Sequence, residues 1–216
     1  MLNSVIRDTE LNRFNFQYRY FDVLPTLGNA MGHAVAVCGM PGSGKGEFAE
    51  IIAANGVPVR SMGDMIRAEV KARGIEGGPN IYGEVAADLR AKYGDDILAV
   101  RLADEVSELM KTHSLVLIEG MRGTAEYEIF NSRWMPNFSS IAITANPEVR
   151  FQRTQKRGRS EDGDREQFEI REQREAGWGL YNLIENADFT LNNESTLEDL
   201  VKAANNWLEE FTKNNS

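Results

Sequence analysis

Residues 33–46 read His33-Ala-Val-Ala-Val-Cys38-Gly39-Met40-Pro41-Gly42-Ser43-Gly44-Lys45-Gly46. The first six are a short apolar run, long enough for a strand buried on both faces. Gly39 to Lys45 fit G-x-x-x-x-G-K, and Glu47 to Ala54 read as a helix stopped at Asn55-Gly56. Strand, glycine-rich turn and helix in that order are the setting in which this motif holds phosphates. Glycines let backbone N–H groups turn inward around phosphate oxygens. The helix start adds unpaired N–H groups and the positive end of its dipole. Gly39, Met40, Pro41, Gly42, Ser43, Gly44, Lys45, Gly46 and Glu47 are therefore the candidate nucleotide cradle, with Lys45 reaching the outer phosphates.

Further strands are expected at Val57 to Val59, Ser114 to Ile118, Ser139 to Ala145 and Asp188 to Leu191. Helices are expected over 62–73, 80–93 (capped by Asn80), a segment after Asp95 or Asp96, 126–133, 147–157, most of 159–178, and 197–211. Leu98, Leu102, Val106 and Leu109 recur at helical spacing. Short apolar strands alternating with helices imply an α/β protein with a five-stranded parallel sheet covered on both faces. The stretch 60–114 is far longer than the dozen or so residues that a plain crossover needs. Its surplus predicts helices standing clear of the sheet as a cap.

The chain has 216 residues, with 24 Lys and Arg against 33 Asp and Glu, a net charge of −9. That length allows a core without staples. The acidic balance argues against a tight nucleic-acid binder and leaves small anionic ligands open, since local fields govern those. One cysteine, Cys38, excludes an intramolecular disulfide and suits a reducing cytoplasm. Cys38, His33 and His113 read as structural. No apolar run is long enough to span a membrane, and the first residues lack a secretory pattern. Phe14, Phe16, Tyr18, Tyr20 and Phe21 cluster in a segment, 1–30, unlike the rest. It reads as an arm packing on the body or as an extension ahead of a domain covering 31–216, and it is a candidate interface.

Gly46 stands where the common motif has the Ser or Thr that holds magnesium. An acid elsewhere must serve, and Glu119, directly after the third strand, emerges at the carboxyl edge where ligands bind. Arg122, three residues on, faces the same cleft. Arg67 lies on the first cap helix, where Asp64 either orients it or caps the helix. Arg153, Arg157, Arg159 and Arg171 flank a break at Gly158 and could close over a nucleotide as a lid, with Asp162 and Asp164 as caps. Guanidinium forks suit phosphate oxygens.

These segments resemble the adenylate kinase family. Gly39 to Gly46 is similar to its phosphate loop, with Glu47 where a threonine is usual. Ser61-Met-Gly-Asp64-Met-Ile-Arg67 resembles its acceptor motif, with Met62 at a threonine position. Glu119-Gly-Met-Arg122 resembles its Asp-Gly-Phe-Pro-Arg loop, one residue shorter. The resemblance covers about residues 33 to 212. It is closer to an uncharacterised archaeal adenylate-kinase-like group, also compared with dephospho-coenzyme A kinase. It implies a three-layer α/β/α P-loop NTPase fold, an acceptor-binding cap about 61–112 and a short lid about 157–177. It also implies ATP and Mg2+ as cofactors, Glu119 on the metal, Asp64, Arg67 and Arg122 on the acceptor, and catalytic roles for Lys45, Arg122 and the lid arginines. The expected activity is transfer of the ATP γ-phosphoryl group to a nucleoside monophosphate or similar small phosphorylated acceptor. The rivals are a dephospho-coenzyme A kinase-like enzyme and a P-loop ATPase switch acting on a protein or RNA partner.

Overall fold

The computed structural model describes residues 31–76, 78, 80–159 and 162–214. The aromatic segment before residue 31 lies outside the described residues. The chain runs β1 (His33–Cys38), α1 (Lys45–Ala54), β2 (Val59–Ser61), α2 (Met62–Ala72), α3 (Ile81–Tyr93), α4 (Ile97–Met110) and β3 (Leu115–Glu119). It continues through α5 (Thr124–Trp134), β4 (Phe138–Thr144), α6 (Pro147–Arg157), α7 (Arg165–Gly177), α8 (Leu180–Glu185), β5 (Phe189–Asn192) and α9 (Leu197–Asn214). All strand pairs are parallel, in the order β2-β3-β1-β4-β5.

The sheet is the middle of three layers, the α/β/α arrangement of P-loop NTPases. Successive side chains of a strand face opposite ways. In β1, Ala34, Ala36 and Cys38 pack with α2 to α5 and α8, whereas Val35 and Val37 pack with Phe48 and Ile52 of α1 and Ala204 and Phe211 of α9. Both faces are covered, so the strand is apolar at every position instead of alternating.

Register brings the carboxyl ends of three strands together. Val37 of β1 and Ser61 of β2 both pair with Glu119 of β3. The glycine-rich loop leaves β1 at that edge, so the edge is where the candidate residues meet.

Several local expectations need correction. The second strand lies two residues later than expected. Pro58 has no N–H to give a ladder; its carbonyl accepts from Leu117 at 2.9 Å and pairing proper starts at Val59. Asn80 and Asp96 precede their helices in a helical backbone conformation and make no side-chain cap. Asp164 does cap α7, exchanging bonds of 3.0 Å with Gln167. Asp162 does not cap it: its carboxylate is buried and taken by Arg157 and the N–H of Arg159. Helix α8 was not expected. Gly179, at φ +92, turns the chain out of α7, and Leu180 and Leu183 then bury against the sheet.

Candidate active site

The glycine-rich loop is clamped from two sides. Gly42 has φ +78, and a Cβ there would lie 2.4 Å from the Arg150 carbonyl. Gly44 has φ +98, and a Cβ there would lie 2.1 Å from Asn193 Nδ2. Both the left-handed backbone and the close neighbour demand glycine. Arg150, on α6, donates to the Pro41 carbonyl at 3.2 Å and to Ala145 at 3.0 Å, and is ion-paired with Glu172. Asn193, just after β5, donates to the Ser43 carbonyl at 2.9 Å. The loop is thus held open before any ligand arrives.

Ser43 is fully buried, and its hydroxyl has no hydrogen-bond partner among the described residues. Such an orphan donor in a ring of backbone N–H groups suits an incoming oxyanion. Lys45 is also buried, with Nζ 3.5 Å from the Met40 carbonyl. Burial, and then the neighbouring Arg122, push its ammonium down to about 8. Met40 and Pro41 are buried; they shape the loop from below. Glu47 lines the cleft in the first turn of α1. At Gly46 an added Cβ would meet nothing within 4 Å, so packing does not exclude a hydroxyl there.

An open cleft of about 880 Å³ runs from the loop past Glu119 and Arg122 to Arg157, Arg159 and Arg171. Glu119 accepts the Ser61 hydroxyl at 2.7 Å, which aims its carboxylate along the sheet edge. Arg122 is flanked by acids: Glu175 lies 3.2 Å from its Nε, with Glu119 and Glu126 near. Burial works against its charge, but the three carboxylates outweigh that and raise its proton affinity. Glu126 fixes the loop itself, accepting the N–H of Arg122 at 2.8 Å and of Gly123 at 3.1 Å.

Glu175, on α7, was not among the expected residues. It is buried between Arg122 and Arg171, the latter donating from Nε at 3.0 Å. Burial opposes its charge, yet Arg122, Arg171 and Lys45 hold its carboxyl down to about 2. It is an anion at neutral pH. Electrostatic coupling therefore runs from the glycine-rich loop, through Lys45, to the arginines opposite.

The remaining expected residues are placed as follows. Arg67 lines the cleft with its Nε and Nη2 on Asp64 at 3.0 and 2.5 Å. Arg157 and Arg159 line it beside the buried Asp162. Arg153 lines it too, but its guanidinium is engaged with the carbonyls of Asn193 at 2.7 Å and Ser195 at 3.3 Å. Sequence reasoning missed Arg150, Asn193, Glu175 and the Arg90–Glu126 pair, and placed Arg174 only on the same helix face as Arg171. Only Glu126 left a local signal, standing three residues after the glycine that starts its helix.

Among the described residues no three His, Cys, Asp or Glu side chains form a metal cage. No helix of the described residues is long and apolar enough to cross a membrane. One carboxylate beside a phosphate cradle fits magnesium, which usually keeps several waters and binds through one or two carboxylates and substrate phosphates.

Residues 35–175 match a family model described as an AAA domain. The UPF0200 protein of Methanosarcina barkeri is 41% identical over 179 residues, covering 81% of this chain and 95% of that protein. That of Methanocaldococcus jannaschii is 36% identical over 181 residues, covering 83% and 91%. A UPF0200/UPF0201 protein of Archaeoglobus fulgidus is 40% identical over 181 residues, and there the match spans only 56% of the longer relative. Among solved structures, TT1252 from Thermus thermophilus superposes with a TM-score of 0.56 at 21% identity, covering 84% of this chain and 98% of that one. Shikimate kinase from Acinetobacter baumannii gives 0.52 at 16%, covering 85% and 94%. These two show the fold alone: a three-layer α/β/α P-loop NTPase domain. The sequence identities to the archaeal proteins go further, and by them the chain belongs to the UPF0200 family.

Proposed function

We propose that this protein is an ATP-dependent phosphotransferase that moves the γ-phosphoryl group to a small phosphorylated acceptor, a nucleoside monophosphate in the adenylate-kinase-like reading. The observation that carries the proposal is a group of cations in the same cleft as the glycine-rich loop. Arg67, Arg122 and Arg171 line that cleft together with Lys45. A protein that only binds and hydrolyses ATP has no need of a second anion site.

In this reading the loop N–H groups, the Ser43 hydroxyl and Lys45 hold the β and γ phosphates. Arg67 and Arg122 hold the acceptor phosphate beneath α2 and α3; α4, expected to stand clear of the sheet with them, instead packs on β1 and β3. Arg157, Arg159 and Arg171 neutralise charge spreading over the transferring group, from a lid made by the turn after α6 and by α7. Arg153 braces the turn after β5 and keeps Asn193 under the loop. Magnesium, when bound, supplies neutralising charge at the phosphates, and Glu119 would hold it through water. The setting is a reducing cytoplasm, in which the buried Cys38, pushed up to about 12 by burial, is inert.

The second reading is hydrolysis of ATP on behalf of a protein or RNA partner, with which the AAA-domain match is compatible.

The test is ADP release from ATP and magnesium, alone and with a panel of nucleoside monophosphates, their deoxy forms and dephospho-coenzyme A. Stimulation by an acceptor, with its phosphorylated product identified by mass, is expected. Arg122→Ala should then raise the acceptor KM about tenfold or more, since a charge-assisted hydrogen bond is removed. A flat panel over steady hydrolysis would favour the ATPase reading instead.

A further inference from the structure

Beside the cleft lies a small inner pocket of about 60 Å³. Its wall carries five arginines, Arg67, Arg90, Arg122, Arg171 and Arg174, against one carboxylate, Glu175. Arg67 is matched by Asp64 and Arg90 by Glu126. Arg122 and Arg171 share Glu175, with Asp162 another 3.8 Å from Arg171. Arg174 has no ion pair among the described residues, and its Nε is buried without a hydrogen-bond partner. Burial and the repulsion of Arg171 and Arg122 lower its hold on its proton, against the pull of Glu175 and Glu84. A half-buried cation with no direct ion pair and a buried, unbonded Nε is costly in an empty protein.

A second oddity sits against it. Gly83 is in the first turn of α3, where glycine is a poor helix former. An added Cβ there would lie 2.0 Å from Arg174 Nη2 and 2.1 Å from Cζ. The guanidinium rests on the bare backbone of Gly83, and any larger residue would force it to shift. The helix glycine and the unpaired arginine thus have one shared explanation: this guanidinium is held in this pocket.

Size narrows what it waits for. A water occupies about 30 Å³ of liquid, so about 60 Å³ has room for roughly two waters or one compact group of similar bulk. That is one tetrahedral oxyanion, not a nucleobase. Arg67, Arg122 and Arg171 line both the pocket and the cleft, so a group seated in the pocket can belong to a molecule whose bulk stays in the cleft.

We propose that the inner pocket seats one compact oxyanion, a phosphate group of the acceptor, and that Arg174, held over Gly83, selects acceptors by that charge. The word acceptor rests on the phosphotransferase reading; the anion preference of the pocket stands without it.

The test is calorimetric titration of inorganic phosphate into the full chain, with saturating ADP present to fill the glycine-rich loop. The intact protein is expected to bind phosphate under these conditions. Arg174→Ala should weaken that binding about tenfold or more, as loss of a charge-assisted hydrogen bond does. Gly83→Ala should weaken it as well while leaving every charge in place, which covers the case in which Arg174→Ala does not fold. ADP affinity, read beforehand on the same samples, reports an intact fold. The proposal is overturned if both variants bind phosphate as tightly as the parent, or if the parent binds none once ADP is present. An acceptor panel run in parallel separates the two readings. A productive panel with phosphate binding indifferent to Arg174 removes this proposal alone. An unresponsive panel with Arg174-dependent phosphate binding removes the phosphotransferase reading alone.

Discussion

Arg90 on α3 and Glu126 on α5 form a buried ion pair, Nη2 donating to Oε1 at 2.5 Å, while Oε2 of that carboxylate holds the N–H groups of Arg122 and Gly123. One carboxylate therefore ties a helix of the β2–β3 excursion to the loop that carries Arg122. The Arg90 guanidinium is also stacked 4.1 Å from the Trp178 ring. Removing Arg90 leaves a buried carboxylate without its cation, a loss of about 3–5 kcal/mol. Arg90→Leu should show it in urea unfolding. The double variant Arg90→Leu, Glu126→Leu should recover only in part, because two loop N–H groups still lack an acceptor. An Arg90→Leu protein as stable as the parent would dissolve the coupling argued here.

Lys45 sets a pH limit on nucleotide binding. Its ammonium is held at about 8 in the empty protein, and phosphates bind its charged form. ATP affinity should be level below that pH and should fall above it, by up to about tenfold per unit for one proton. Lys45→Met should bind weakly at every pH and lose the slope. The stability sign is opposite. The unfolded chain keeps the proton up to about 10.5 and the folded one only to about 8. Over that window the unfolded state holds more protons, so this residue's destabilising effect fades as pH rises. Empty Lys45→Met should therefore melt higher than the parent at pH 7, with the gap closing above pH 8.

Glu175 contributes in the other direction. Its carboxyl titrates at about 2 in the fold, against an ordinary 4.5. The stabilisation is fully present above 4.5 and is lost as pH falls from there toward 2, and it is worth on the order of 3 kcal/mol. Glu175→Gln should cost about that much at pH 7, since Arg122 and Arg171 lose their shared anion. It should also flatten the fall of melting temperature between pH 5 and pH 3. An unchanged acid profile in the variant would show that Arg122 and Arg171 do not depend on it.

The parts of this molecule that were legible in the sequence are those specified by neighbours in the chain. The run His33 to Cys38 had to be a buried strand because it is apolar at every position, and Gly42 and Gly44 announced a turn that only glycine can make. Glu119 and Arg122 could be sent to the carboxyl edge because they directly follow an apolar strand. What was not legible is set by contacts distant in sequence. Asn193 reaches Ser43 across 150 residues, and no local pattern marks an asparagine as a loop brace. Glu175 and Arg174 lay in a helix dense in both charges, and only the packing of α7 over the cleft separates their roles from those of solvated neighbours. Helix α8 is short and was masked by its run-on from α7.

Gly46 offers a gain-of-function test of how the metal is held. Its position is in the first turn of α1, with nothing within 4 Å of an added Cβ. Serine is the better helix former, by up to about 0.5 kcal/mol, so Gly46→Ser should fold and melt slightly higher than the parent. A hydroxyl at this point of the loop is the one that the common motif places on magnesium. If Glu119 now holds the ion only through water, the added ligand should lower the magnesium concentration needed for half-maximal ATP binding, read by titrating magnesium against a fixed ATP concentration. Chelation with EDTA should weaken ATP binding in the parent and do so more in Gly46→Ser. A Gly46→Ser protein that folds and shows the parent's magnesium dependence would mean that the ion is not seated beside α1, and Glu119 would lose its assigned role.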